Sequence, residues 1–126
     1  MAYTFGVFSD PHFHNARILG GPFIAGVNRR CAGIGRAARA ALAAAAARGC
    51  CVVFVTGDAF DNANPSPAVI GEAARAFNGR ISVGLVPGNH DRSSDEPGHD
   101  ALAALAAHSN CVVYREPTRL PLGYDG

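Results

Sequence analysis

The sequence predicts an α/β fold in which a mostly parallel β-sheet is flanked by helices. Short apolar runs alternate with segments of helical periodicity, which is the order of strands and helices around a parallel sheet. The apolar runs are unbroken, a pattern typical of strands that are covered on both faces. A chain of 126 residues is long enough for one domain with a buried core.

Four strands are predicted along the chain. They are YTFGVFS at 3–9, CVVFVT at 51–56, ISVGLV at 81–86 and CVVY at 111–114. The segment 11–28 lacks periodicity and contains several Gly, Asn and Pro residues, so we predict a long loop there.

Three helices are predicted between the strands. The first covers residues 30–48 and is stopped by Gly49. The second is the segment SPAVIGEAARAFNG, in which Ser66 is placed to cap the helix and Pro67 suits its first position. A short third helix, DALAALAAH, is expected from Asp100 onward.

Composition and charge exclude several classes of partner. The formal net charge of +1 gives no field that would attract nucleic acid or an anionic membrane, so a phosphate must be recognised at a local site. The longest apolar tract, 40–57, changes character at Gly49 and does not resemble a membrane span. The sequence has no signal-peptide pattern and its four cysteines have no C-x-x-C spacing, so we expect buried, reduced thiols and a cytoplasmic location.

Polar groups with metal-binding chemistry follow three of the predicted strands. The sequence is SDPHFHN after the first strand, TGDAFDNAN after the second and PGNHDR after the third. Because ligands of open α/β sheets gather outside the carboxyl ends of the strands, we expect these groups in one region. Each segment taken alone is better explained as a turn or a helix cap, but turn chemistry does not explain the ordered set of three.

The donor set predicts two divalent metal ions. Asp10 and His12 are two residues apart, so both can bind one cation. Asp58 follows the most apolar strand, where a lone carboxylate is costly to bury unless it is paired or metal-bound. Its two oxygens can bridge cations about 3.5–4 Å apart, and Asn89 can bind the second cation. Mixed oxygen and nitrogen ligands favour Mn²⁺, with Fe or Zn²⁺ as alternatives.

His90 and Asp61 are the predicted catalytic residues. His90 is placed to protonate the departing alkoxide, and Asp61 would orient that imidazole and raise its pKa. The candidate substrate-binding residues are His14, two residues after His12, and Arg92, which follows the third segment. For His14 an ordinary loop position is the alternative.

The three segments resemble the first three motifs of the calcineurin-like metallophosphoesterases, D-x-H, G-D-x-x-D and G-N-H-[DE]. The matching residues are Asp10-Pro11-His12, Gly57-Asp58-Ala59-Phe60-Asp61 and Gly88-Asn89-His90-Asp91. By that resemblance Asp10 and His12 would hold the first metal, and Asp58 would bridge the two metals. Asn89 would hold the second metal, and His90 would assist the leaving group.

The variant of each motif discriminates between branches of the family. Phe60 in GDAFD, followed by NPSP, looks like the DNA double-strand-break-repair exonucleases and related phage enzymes. Asn62 and Ala63 replace the Arg and Gly of the protein serine/threonine phosphatases, and Asp91 replaces their Glu, which disfavours that branch. Cyclic-nucleotide and other small phosphodiesterases share GNHD and are the alternative.

The family also uses metal-binding histidines from later G-H and G-H-x-H motifs, in the second half of an α/β/β/α sandwich. We therefore expect residues 1–126 to be the N-terminal half of a metallophosphoesterase domain, with the C-terminal half absent from this sequence. The C-terminal half or a partner chain would be needed to complete the metal site. Without it, one apolar face of the sheet would be open.

These observations predict a metal-dependent phosphoesterase that hydrolyses phosphodiesters through a dinuclear metal centre and a metal-bound hydroxide. DNA is a candidate substrate, in an exonuclease-like reaction, and the isolated chain is expected to be weakly active or inactive. The alternative is a non-catalytic, truncated metallophosphoesterase fold that acts as a protein-interaction scaffold. A Rossmann-like nucleotide binder is disfavoured because no G-x-G-x-x-G follows the first strand, and no membrane partner is expected.

Overall fold

A four-stranded parallel sheet forms the centre of the structure, a computed structural model that describes residues 3–16, 20–89 and 100–120. In chain order the elements are β1 (Phe5–Phe8), β2 (Phe23–Ile24), β3 (Val27–Asn28), α1 (Arg29–Ala47), β4 (Val52–Thr56), α2 (Pro67–Phe77), β5 (Ser82–Val86), α3 (Ala101–Ala107) and β6 (Cys111–Val113). Strands β2 and β3 form a separate antiparallel hairpin.

The strands of the main sheet lie in the order β1-β4-β5-β6, and each neighbouring pair is parallel. The fold class is therefore the predicted one, an α/β structure whose mostly parallel sheet is flanked by helices. The order places β4 and β5 inside the sheet. Their side chains on the helix-covered face are almost inaccessible to water: Val53, Val55, Val83 and Leu85.

The helices pack against one face of this sheet. Phe8 in β1 lies against Phe77 at the end of α2, with ring centroids 6.3 Å apart. A β-carbon added at Gly6 would lie 3.6 Å from the side chain of Ala45, so α1 covers the same face. Helix α2 contacts both α1 and α3. Burial of this face provides the hydrophobic stabilisation of the fold.

The opposite face of the sheet is open as far as residues 3–16, 20–89 and 100–120 are concerned. Phe5, Val7 and Val112 expose 54%, 57% and 53% of their surface. This face is therefore apolar and exposed among the described residues, and the cover on both faces that the unbroken apolar runs predict is not found among them. A continuous apolar run shows that both faces are hydrophobic, but it does not show what covers them.

The N-cap of α1 fixes where this helix begins. Asn28 Oδ1 accepts a hydrogen bond of 2.8 Å from the backbone N–H of Cys31, so the helix begins at Arg29, one residue before the predicted start. The Asn28 amide also donates to the carbonyl oxygen of Ala16 at 2.8 Å. The backbone N–H of Asn28 donates to Asn15 Oδ1 at 2.9 Å. The cap therefore ties the segment after β1 to the start of α1.

The prediction of an unstructured loop over 11–28 is wrong for its last part, which forms the β2–β3 hairpin. Ala25 and Gly26 connect the strands with φ angles of 53° and 85°. Positive φ at both central residues is the condition for a type I′ turn, whose twist matches that of the paired strands. Strands of two residues show no periodicity, and Ala-Gly is not a typical hairpin pair, so the sequence pattern does not reveal this hairpin.

The alanine-rich tract 40–57 is divided between α1 and β4. No helix in the described part of the chain has the length and apolar character that a membrane span requires. All four cysteines are free thiols, as predicted, but the expected burial holds only for Cys31 and Cys111, since Cys50 is half-buried and Cys51 is exposed. Burial raises the pKa of Cys31 and Cys111 above the ordinary value of 9.0, which keeps both thiols protonated at neutral pH.

A partly buried ion pair fixes the start of α3 beside β6. Arg115 donates two hydrogen bonds to the Asp100 carboxylate, at 2.6 and 2.8 Å. Asp100 is also the N-cap of α3, because its Oδ1 accepts from the backbone N–H of Ala103 at 3.0 Å. The hydrogen bonds from Arg115 lower the pKa of Asp100 below its ordinary value of 3.8, against the opposing effect of burial.

We expect Asp100→Asn to lower the free energy of unfolding at pH 7 by about 2 kcal/mol, since it weakens charge-assisted hydrogen bonds and leaves Arg115 unpaired. Because the pKa of Asp100 is lower in the folded state, the ionised carboxylate contributes its full stabilisation of the fold above pH 3.8. This stabilisation is lost as the pH falls through the folded pKa. Urea titrations of Asp100→Asn and wild type at pH 7 and below pH 3.8 measure the difference in their unfolding free energies. The prediction is contradicted if the difference in unfolding free energy between Asp100→Asn and wild type does not change with pH. It is also contradicted if that difference equals the one caused by Glu116→Gln at an exposed position.

Candidate metal centre

The carboxyl ends of β1, β4 and β5 lie side by side at one edge of the sheet, because these strands are parallel neighbours. Asp10 follows β1, Asp58 follows β4 and Asn89 follows β5. The topology therefore delivers Asp10, Asp58 and Asn89 to one edge, which is where open α/β sheets bind their ligands.

The pairing of β1 with β4 continues through the loops that carry the ligand candidates. The backbone N–H of Asp10 donates to the carbonyl of Gly57 at 3.1 Å, and that of His12 donates to the carbonyl of Asp58 at 3.1 Å. Phe13 N–H donates to the carbonyl of Ala59 at 2.9 Å. These bonds fix the position of the first segment relative to the second.

Two buried aromatic residues anchor the paired loops. Phe13 and Phe60 are fully buried and form an isolated parallel bridge, with ring centroids 6.3 Å apart. Phe13 also packs edge-on against Phe77 of α2, at a centroid distance of 5.9 Å. The sequence patterns do not identify Phe13 as a core residue, because it stands among polar loop residues.

Asp10, His12 and Asp58 form a group that could hold a divalent cation. One ligand atom from each lies within 4.8 Å of those of the other two. His12 Nε2 lies 3.7 Å from Asp10 Oδ1 and 4.0 Å from Asp58 Oδ2. Two carboxylates and one imidazole are donors that Mn²⁺, Fe and Zn²⁺ accept in proteins. The residues present therefore fit a divalent metal ion.

The same three residues have strained backbone conformations. Their φ angles are 56°, 51° and 48° for Asp10, His12 and Asp58. Positive φ is uncommon outside glycine, and such conformations cost on the order of 1–3 kcal/mol each. Residues of this kind persist where surrounding contacts hold them, and they concentrate at functional sites.

Asp61 orients the imidazole of His12. His12 Nδ1 lies 3.0 Å from Asp61 Oδ1, and an ionised carboxylate only accepts, so Nδ1–H is the donor. The neutral ring then presents the lone pair of Nε2 toward Asp10 and Asp58. A carboxylate behind a metal-binding histidine is a recurrent arrangement that fixes the tautomer and the ring orientation. The sequence predicts His90 as the partner of Asp61, and His90 lies outside the described residues.

Ser9 is a site residue that the sequence patterns did not indicate. Its Oγ lies 2.6 Å from Asp10 Oδ2 and 2.9 Å from the carbonyl oxygen of Thr56. The hydroxyl has one proton, so it donates to one of these two oxygens at a time, and it lies between the Asp10 carboxylate and the end of β4. Only its place directly before Asp10 could have indicated this role.

Gly88 brings the third segment against Asp58. A β-carbon added at Gly88 would lie 2.2 Å from Asp58 Oδ1 and 2.4 Å from its backbone nitrogen, so no larger residue fits without displacing Asp58. Asn89 is the next residue and is exposed at this edge. Arg92, like His90, is outside the described part of the chain. His14 lies in the wall of a neighbouring cleft that Asp61 also lines.

Comparison with known proteins assigns a family to this arrangement. The sequence profile described as calcineurin-like phosphoesterase matches residues 3–120, which include all three segments of the site. No curated protein matches the chain in sequence.

We expect Gly88→Ala to weaken Mn²⁺ binding about 10–100-fold, because the added methyl group must displace the Asp58 carboxylate. Gly79→Ala is the matched control, since a β-carbon there meets no atom within 4 Å. Calorimetric titration with Mn²⁺ measures the affinity, and circular dichroism checks that both variants are folded. A folded Gly88→Ala protein with wild-type affinity would show that this contact does not position Asp58.

We expect Asp61→Ala to lower Mn²⁺ affinity about 10–100-fold, because His12 loses the acceptor that orients its ring. Asp61→Asn retains an acceptor oxygen without the charge, so its loss should be smaller. The same titration compares the two variants with wild type. Equal affinity in all three proteins would remove the assigned role of Asp61.

Proposed function

The chain belongs to the calcineurin-like phosphoesterase family, and we propose that it is a metal-dependent phosphoesterase that hydrolyses phosphodiesters. The observation that carries the proposal is the convergence of Asp10, His12 and Asp58 at the carboxyl edge of the sheet. The match to the family supports a hydrolase acting on phosphoester bonds. The donor set supports dependence on a divalent metal.

We assign Asp10 and His12 to one cation, Asp58 to a bridging position and Asn89 to a second cation. Divalent metals in such a site supply positive charge for a phosphoryl oxygen and activate water at neutral pH. Mn²⁺ is the proposed metal, with Fe and Zn²⁺ as alternatives. Ser9 and Asp61 hold Asp10 and His12 in place, which reduces the reorganisation that metal binding requires.

The surroundings of Asp58 support its proposed bridging position. One of its oxygens lies 4.0 Å from His12 Nε2, on the side of the first segment. The other is the atom closest to a β-carbon added at Gly88, on the side of the third segment. The two oxygens therefore face the two sets of residues that would each hold one cation.

His90 is the proposed proton donor to the leaving alkoxide. His14 and Arg92 are proposed to contact the substrate. Asp61, the other residue predicted to act in catalysis, is assigned here as the positioning residue of His12, on the evidence of the 3.0 Å contact. The proposed substrate class is DNA or another nucleotide phosphodiester, on the basis of the motif variants GDAFD and GNHD.

The open face of the sheet supports a proposal about the rest of the site. Phe5, Val7 and Val112 form an exposed apolar surface of the kind that a second layer covers. We assign that layer, together with further metal ligands, to a C-terminal half of the domain or to a partner chain. Four free thiols are in keeping with the proposed cytoplasmic location.

A protein-interaction scaffold is the second candidate function, and the exposed apolar sheet face is the observation that favours it. Such a scaffold needs no metal. Metal analysis of the purified chain therefore separates the two candidates, because a scaffold would retain no Mn²⁺ while binding a partner through this face.

We expect the Mn²⁺-loaded protein, completed by the proposed C-terminal half or partner chain, to hydrolyse bis(p-nitrophenyl) phosphate, and Asp58→Asn to lower kcat at least about 100-fold through loss of metal ligation. A chelator should abolish the activity. Glu116→Gln, the same acid-to-amide type of change at an exposed position, is the control and should match wild type. A completed protein that neither retains Mn²⁺ nor cleaves the diester, with Asp58→Asn equal to wild type, would refute the proposal.

A further inference from the structure

A polar cleft lies beside the candidate metal centre. Its volume is about 250 Å³, and its walls include His14, Asn62, Asn64, Pro65 and Asp61. Asp61 also contacts His12 at 3.0 Å, so one side chain forms part of both the cleft and the metal centre. We propose that this cleft binds the nucleoside part of a phosphodiester whose phosphate lies at the metal centre. This inference rests on the proposed phosphoesterase function.

His14 presents a hydrogen-bond donor to the cleft. The backbone N–H of Ala16 donates to His14 Nδ1 at 3.1 Å, so Nδ1 is unprotonated. In the neutral ring the proton is then on Nε2, which is a donor. The loop geometry thus selects the tautomer that can donate to an oxygen or ring nitrogen of a ligand.

Two asparagines add amide groups. Asn62 Oδ1 accepts from the backbone N–H of Asn64 at 3.0 Å, which leaves the Asn62 amide nitrogen as a donor. The Asn64 side chain is exposed and makes no hydrogen bond with the rest of the described chain. Side-chain amides offer a donor and an acceptor together, which matches the edges of nucleobases.

The charge of the cleft favours a neutral ligand over a second phosphate. Asp61 is the one charged side chain in the described lining, and no arginine contributes to it. The start of α2 also lies here, but it offers few donors to an anion. Pro67 has no N–H, and Ser66 Oγ already accepts the N–H of Val69 at 3.3 Å. A nucleoside fits a cleft that favours a neutral ligand and offers side-chain amides, because it is neutral and its base carries hydrogen-bond donors and acceptors.

The first experiment compares two diesters with the Mn²⁺-loaded protein in its completed form, with the proposed C-terminal half or partner chain present. Thymidine 5′-(p-nitrophenyl phosphate) carries a nucleoside, and bis(p-nitrophenyl) phosphate does not. We expect Asn64→Ala to lower the ratio of their kcat/KM values about five- to tenfold, the effect of one lost hydrogen bond. Asn78→Ala, an exposed asparagine outside the cleft, should keep the wild-type ratio. An unchanged ratio in Asn64→Ala, or an equal fall in both variants, overturns the proposal.

The second experiment does not need turnover. Thymidine, which has no phosphate, is expected to shift the side-chain amide NMR signals of Asn62 and Asn64 in the wild-type protein. Cleavage of the diesters without these shifts at millimolar thymidine overturns the cleft assignment alone. The shifts without cleavage of either diester support the cleft as a nucleoside site and overturn the phosphoesterase function.

Discussion

The parallel pairing of β1 and β4 extends past both strands, and the geometry of the candidate site depends on this extension. Backbone hydrogen bonds join Asp10 to Gly57 and His12 to Asp58 at 3.1 Å each. These backbone hydrogen bonds alone bring the first two motifs together, without help from side-chain contacts. Phe13 and Phe60, which are fully buried, anchor the end of this pairing in the core. Breaking the pairing is unfavourable, because each backbone group would lose its partner.

This rigid frame explains how three adjacent ligand candidates keep unfavourable backbone conformations. Positive φ at Asp10, His12 and Asp58 would be released by small rotations if the loops were free. The hydrogen-bond ladder on one side and the close approach of Gly88 on the other prevent those rotations. The strain is therefore balanced by packing and backbone pairing around the ligand group, which keep the two carboxylates close together.

The two faces of the sheet have different roles. The buried face, with the three helices, supplies the hydrophobic stabilisation and anchors Phe13 through Phe77. The other face is apolar but open in the described chain, and it borders the same carboxyl edge. In the proposed enzyme, the remaining ligands would therefore approach from the open face without disturbing the core. The nucleoside cleft lies next to Asp61, so substrate and metal would share one wall.

The sequence by itself determined the fold class and the identity of the ligand candidates. Unbroken apolar strands alternating with helices specify a parallel sheet, and such a sheet places its strand ends together. The cap of α2 was also evident, since Ser66 and Pro67 act through neighbouring residues. These features are local, or they follow from topology alone.

Tertiary structure decided which residues contact one another at the site. Asp61 and His12 are 49 residues apart, and no spacing rule shows that their side chains meet. The same holds for Ser9 with Thr56, 47 residues apart, and for the contact of Gly88 with Asp58. The two-residue strands of the hairpin carry too few side chains to form a pattern. The sequence therefore determined which groups reach the site, whereas packing between distant segments decided how each group is oriented.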